Sequence, residues 1–175
     1  MPAPMELVLW LLTALMAAVV VQDVWKYRIP NWLNLSLILL YGVALYLTPA
    51  PVAWGWALAT AGGLFALGTL AFIGKCMGGG DVKMFTACGL WVGHEAVLPF
   101  LLYTSLYGGA LTMLLLMIRM VARGLNKNRE TPWNLPTLLT MRGPVPYGVA
   151  IVCGFFSILI DGRIPVFSGI VSFAH

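Results

Sequence analysis

Asp23 closes a long apolar run and Asp81 closes the glycine run Gly78-Gly79-Gly80, so two carboxyls stand at the edges of otherwise oily segments. An ionisable group beside hydrocarbon costs on the order of several kcal/mol, which makes such positions functional candidates by default. The two acids are far apart in sequence but lie on segments that can end at the same depth. Two carboxyls held close together cannot both ionise cheaply; one keeps a proton while the other stays charged, and the pair titrates as a unit. The charged partner can take a proton from water, and the protonated partner can donate one to a carbonyl oxygen. Such a pair supports attack of water on an amide carbonyl through a tetrahedral gem-diol, with no covalent intermediate on the protein. That is the arrangement of aspartic proteases.

The residues beside each acid fit this chemistry. After Asp23, the segment Lys26-Tyr27-Arg28-Ile29-Pro30-Asn31 breaks one helix before the next begins. Before Asp81, three consecutive glycines allow backbone shapes closed to other residues and leave room for a peptide to approach; Asp81 is expected to cap the helix that follows. Each feature also has a plainer reading. Asp81 could be a helix cap and nothing more, Asp23 an interfacial residue paired with Lys26 or Arg28, and the glycines a flexible turn. Other chemistries fit less well. His94 and His175 are expected on the opposite side of the membrane, and Cys76, with no histidine partner, is assigned a structural role. Lys75 after Gly74 does not make a phosphate loop, because the spacing from Gly68 is wrong and Cys76 replaces the required Ser or Thr.

The elements that must position these acids are membrane helices. The chain has 175 residues, 61% hydrophobic and only 9% charged, against roughly a quarter charged in soluble domains. A single domain spanning residues 1–175, with the lipid bilayer as its solvent, is the expected organisation. Glu6 and the absence of Lys or Arg ahead of the first apolar run argue against a secretory signal peptide. Three cysteines without a CxxC, and basic residues not interleaved with aromatics, give no zinc site, no disulfide framework and no nucleic-acid partner. No cofactor or metal is expected.

Six apolar segments follow: Met5–Val21, Leu33–Leu47, Ala53–Ile73, Val82–Val92, Ala96–Ile118 and Val145–Ile160. The expected fold is therefore an all-α polytopic membrane protein of about six transmembrane helices with a short fourth helix, which either stops as a half-span or continues through Gly93. The segment Ile164–Ala174 is too short to cross and should be interfacial or packed. With the amino terminus outside, Lys26, Arg28, Lys75, Lys83, Arg119, Arg123, Lys127, Arg129 and Arg142 all face the cytoplasm and only Arg163 does not, as the positive-inside rule requires. The same orientation puts Asp23 and Asp81 together at the cytoplasmic boundary. Residues 119–143 read as a cytoplasmic basic loop that sets topology, with the alternative that it recruits an acidic partner. Gly55, Ala59 and Gly63 form a small-residue stripe read as helix packing, and Trp54 and Trp56 an outer aromatic belt.

Gly78-Gly79-Gly80-Asp81-Val82-Lys83, Asp23 with Ile29-Pro30-Asn31, and Pro146-Tyr147-Gly148 opening the last span together resemble the type IV prepilin peptidase family, polytopic GxGD aspartic proteases. The resemblance covers roughly residues 5–160 and implies catalytic roles for Asp23 and Asp81. It implies removal of prepilin leader peptides at the cytoplasmic face of the bacterial inner (plasma) membrane, just before the substrate's hydrophobic helix. Bifunctional members carry a large cytoplasmic domain, often with paired CxxC motifs, linked to N-methylation. This chain shows neither and is similar to the short branch that serves Flp, or tight-adherence, pili, so a Flp-type pilin or pseudopilin is the expected substrate. Gly78, Gly79 and Gly80 are expected to lie along the scissile segment. Lys83 either orients Asp81, meets an acidic residue of the substrate, or snorkels outward. The rival reading is a proton- or ion-coupled transporter using the same acids. It would need polar groups near mid-membrane, which the spans Met5–Val21, Ala53–Ile73 and Ala96–Ile118 almost wholly lack.

Overall fold

The computed structural model describes residues 3–48, 51–75, 77–127, 140 and 143–167. Among them the chain is all helical: α1 (Ala3–Lys26), α2 (Asn31–Leu47), α3 (Trp54–Ile73), α4 (Gly79–Lys127) and α5 (Tyr147–Ile160), followed by a 3₁₀ turn at Pro165–Phe167. Among the described residues, four stretches are long and apolar enough to cross a bilayer: α1, α3, α4 and the continuous stretch Tyr147–Phe167. α2, at 17 residues, is a shorter apolar helix; it rises only about 25 Å, just short of a hydrocarbon core of about 30 Å. The protein is a multi-pass membrane protein.

α4 consists of two helical arms that meet at a kink. Gly93 adopts φ 65°, ψ −176° and divides α4 into arms 79–92 and 94–127. A side chain at residue 93 would be strained by that φ and would also meet the Pro165 ring at 3.2 Å, so glycine is required twice over. The first arm is the expected short fourth helix. The second arm continues to Lys127, so the helix runs into the stretch 119–143 that the sequence reading treats as loop. Met120, Val121 and Leu125 continue the apolar content past Ile118, and Arg119, Ala122 and Arg123 favour the helix. Most of the remainder of that stretch, with Arg129, Pro132, Pro136 and Arg142, lies outside the described residues, as does 168–175.

α1 packs on α2 and α5, and α4 packs on α2 and α5, so these four close a ring; α3 lies chiefly against α4. The α3–α4 contact is the most extensive, and small residues make it possible. A Cβ on Gly89 would lie 3.1 Å from the Ala61 Cα and 2.9 Å from Leu64 Cδ1, and one on Gly68 would lie 3.1 Å from Val82 Cγ1. The buried stripe of α3 is thus Ala57, Ala61, Leu64 and Gly68. This corrects the sequence reading: Gly55, Ala59 and Gly63 are exposed, and nothing approaches Gly55 or Gly63 within 4 Å. Their four-residue spacing was right for a packing face, but α3 is rotated to present its other small residues to α4.

Trp91 holds the centre of the bundle. It is fully buried, stacks on Phe167, meets Tyr41 edge-on at 5.4 Å and donates from Nε1 to the Leu37 carbonyl at 3.2 Å. The buried 3₁₀ turn beneath it fulfils the packed version of the tail expectation up to Phe167, and Thr48 Oγ1 ties α2 to it through the Val166 carbonyl. Trp91→Ala is expected to cost about 3 kcal/mol, the lower end for a large aromatic because lipid replaces water as the reference solvent; thermal unfolding in detergent measures it. Outside, Leu7, Trp10, Leu39, Leu70, Leu98 and Leu114 are exposed and present the oily belt that a bilayer covers. Trp54 and Trp56 are exposed as well, with Trp56 against His94 at 5.3 Å, at the end of the bundle opposite Asp81.

Candidate active site

The end of α1, the start of α2, the end of α3 and the starts of α4 and α5 meet at one end of the bundle. Lys26, Arg28, Lys75 and Lys83 lie there, as their positions in these elements require. α1 ends with Tyr27 at φ 52°, its N–H bonded to the Asp23 carbonyl at 3.0 Å; α3 ends with Lys75 at φ 58°. Both use the left-handed conformation that terminates helices, normally a glycine position. On non-glycine residues it costs on the order of 1 kcal/mol.

Asp23 and Asp81 are both buried, and both line one cavity of about 640 Å³ together with Tyr27, Lys75, Met77 and Tyr147. They are close enough to interact electrostatically. The structure therefore brings together the two acids that the sequence places far apart.

Each carboxyl is held by the amino end of a helix. Asp81 lies inside the first turn of α4, and its Oδ2 accepts the Gly78 N–H at 3.2 Å. Val82 N–H bonds back to the Gly78 carbonyl at 3.1 Å, which makes Gly78 the capping position. Asp81 is thus the third helical residue reaching back, the acidic half of a capping box, and not the N-cap expected from sequence. Glycine at 78 leaves the cap without a side chain of its own, and the helix begins three residues earlier than a cap at Asp81 would start it.

Asp23 is held from across the bundle. α5 begins after Pro146, which offers its helix no side-chain cap. The first turn finds Asp23 instead: Gly148 N–H donates to Asp23 Oδ2 at 2.7 Å, while Val149 N–H bonds back to the Pro146 carbonyl at 3.3 Å. An aspartate on α1 thus caps α5, where the helix dipole favours a carboxylate. Sequence reasoning singled out Pro146-Tyr147-Gly148 but missed this role. The available signal was a helix start at proline, with no Ser, Thr, Asp or Asn to cap it.

The three glycines are not equivalent. A Cβ on Gly78 would lie 2.9 Å from Asp81 Oδ2, and one on Gly80 would lie 3.3 Å from both the N and O of Ile29; on Gly79 it would meet only the Phe72 ring edge at an ordinary 3.6 Å. In Gly79→Ala the peptide cleavage expected from the sequence should therefore stay within about threefold of the parent. Gly78→Ala and Gly80→Ala should each lose on the order of 10²-fold, because they shift the Asp81 carboxyl or push α4 off the Ile29–Pro30 corner. Equal losses in all three, measured as initial cleavage rates, would contradict this packing account.

A second cavity of about 710 Å³ shares Tyr27, Gly78 and Asp81 with the first, and Gln22, Lys26, Arg28, Pro30, Asn31 and Lys83 contribute to its walls. Lys83 Nζ donates to Asn31 Oδ1 at 2.8 Å, so the lysine ties α4 to the first residue of α2. Cys76 lies outside the described residues.

No curated protein and no solved structure matches the chain. The sequence model of the type IV leader peptidase family, however, matches residues 10–113. That is more than half of the 175 residues. The matched stretch takes in both cavity acids and the glycine turn between α3 and α4. On that match the chain belongs to the type IV leader peptidase family and is a peptidase.

Proposed function

We propose that the protein removes the leader peptides of prepilins as an aspartic endopeptidase, with Asp23 and Asp81 as its catalytic pair. In this reading the pair lies on the cytoplasmic side of the bacterial inner membrane, with the amino terminus outside. The substrate is a Flp-type pilin or pseudopilin, and cleavage proceeds without N-methylation. The observation that carries the reading is the convergence of two buried carboxyls on one cavity at the basic end of the bundle. No CxxC occurs in these 175 residues, which supports cleavage without methyl transfer.

The chemistry follows from the pair sharing one proton. The charged carboxylate takes a proton from water as the water oxygen bonds to the scissile carbonyl carbon; the protonated carboxyl gives its proton to the carbonyl oxygen. The gem-diol then collapses. The C–N bond breaks, the leaving nitrogen takes a proton from one carboxyl, and a diol hydroxyl returns one to the other, so the pair ends as it began. The backbone N–H groups at the starts of α4 and α5 keep each carboxyl aimed without reorganisation during the reaction. Gly78, Gly79 and Gly80 leave the backbone open to an extended peptide lying beside Asp81. Lys83, anchored to Asn31, stiffens the corner over which that peptide passes.

The test is cleavage of a prepilin by the purified protein and by its Asp23→Asn and Asp81→Asn variants, with the mature amino terminus read by mass. Near-native cleavage by either folded variant removes the catalytic pair. Ion flux in vesicles without cleavage would favour a transporter.

A further inference from the structure

Arg119 lies in the second arm of α4 and is only 3% exposed. The sequence reading counts it among the basic residues of a polar loop, yet the structure buries it. Its Nη2 donates to the Pro144 carbonyl at 2.9 Å. A buried guanidinium is expensive unless it is hydrogen-bonded, so this contact is part of how the charge is accommodated there.

The carbonyl it holds is close to the Asp23 site. Pro144 and Val145 line the cavity shared by Asp23 and Asp81. Pro144 and Pro146 have no N–H, so this approach to α5 has few donors with which to fix itself. Two residues beyond Pro146, Gly148 delivers the N–H that holds Asp23 Oδ2. The start of α5 is therefore pinned from two sides: by Arg119 through Pro144, and by Asp23 through Gly148.

We propose that Arg119 is a positioning residue for Asp23, acting through Pro144 and the first turn of α5. This rests on the catalytic reading of Asp23 given above. The contact that carries this role is to the Pro144 carbonyl. It fixes the carbonyl that sets where the Gly148 N–H points, and that N–H sets where the Asp23 carboxyl points.

The experiment uses the full chain in detergent or proteoliposomes, with prepilin cleavage resolved into kcat and KM. Arg119→Ala is expected to lower kcat on the order of 10²-fold, as for a misplacement of about 1 Å, with KM within about threefold. Arg119→Lys keeps the charge and one donor and should recover to within about tenfold of the parent. Arg119→Ala combined with Gly148→Ala should be no slower than Gly148→Ala alone, because both act on the same carboxyl. Multiplying losses would show that Arg119 acts elsewhere and overturn the proposal, as would a folded Arg119→Ala with parental kcat. If Arg119→Ala fails to fold, the same cycle is run with Arg119→Met, which keeps most of the volume but has no donor: a kcat loss absorbed in the Gly148→Ala background supports the proposal, and parental kcat or an independent loss overturns it. Asp23→Asn in the same assay separates the two ideas. If it cleaves normally, the catalytic reading has failed; if it is dead while Arg119→Ala is not impaired, only the positioning role has.

Discussion

Asp81→Asn and Asp23→Asn each lose roughly 10²- to 10⁴-fold in leader cleavage, the range contributed by a positioned proton-transfer group. The amide is close to isosteric and keeps an oxygen for the Gly78 or Gly148 N–H, so the capping bond survives in shape. What disappears is the ability to give and take a proton. One remaining carboxyl cannot both deprotonate the water and protonate the carbonyl, so the two single losses are of similar size. Combining them adds little beyond the larger single loss, because residues that act as a unit are not additive. Initial rates with purified variants, alongside thermal unfolding to show that both remain folded, give the answer. A variant that unfolds at the parental temperature and still cleaves within tenfold would exclude its aspartate from the chemistry.

The second large effect is at a residue that carries no functional group. A Cβ on Gly148 would lie 2.7 Å from Asp23 Oδ2 and 3.0 Å from Ile29 Cδ1. Both neighbours are the ends of flexible side chains, so they can move aside and the fold loses little. The functional outcome is different. The carboxyl moves away from the N–H that aims it, by enough to give up a 2.7 Å hydrogen bond. Gly148→Ala is expected to cut kcat on the order of 10²-fold while shifting the unfolding temperature by no more than a few degrees. Gly42 serves as the control, since nothing approaches its Cβ position within 4 Å; Gly42→Ala should be indistinguishable from the parent. A Gly148→Ala protein that cleaves like Gly42→Ala would mean that the α5 amino terminus does not set the position of Asp23.

Both effects depend on helix starts that serve as ligands for side chains. In α4 the acid and the helix it caps are contiguous, so local sequence came close to describing Asp81. The remaining error was the position, because a glycine can serve as the cap and leave the acid one turn inside. In α5 the cap comes from a helix more than a hundred residues earlier in the chain, and no local pattern announces it. Arg119 shows the same limit. Its charge suggested a cytoplasmic loop, whereas its side chain is buried against a carbonyl that belongs to the next element.

The one-dimensional string was enough to establish the oily all-helical character and to single out the two acids as candidates, because hydropathy and the cost of charge near lipid are properties of short segments. It allows the fourth helix either to stop at Gly93 or to run through it, and the kink there was decided by the structure. It was also enough to expect the acids at one end, since alternating spans carry segment ends to the same side. Which small face of α3 meets α4, which backbone N–H holds Asp23, and that Lys83 is tied to Asn31 were decided only in three dimensions. Those depend on the rotation of each helix about its axis, and rotation is set by side chains from distant segments competing for the same space.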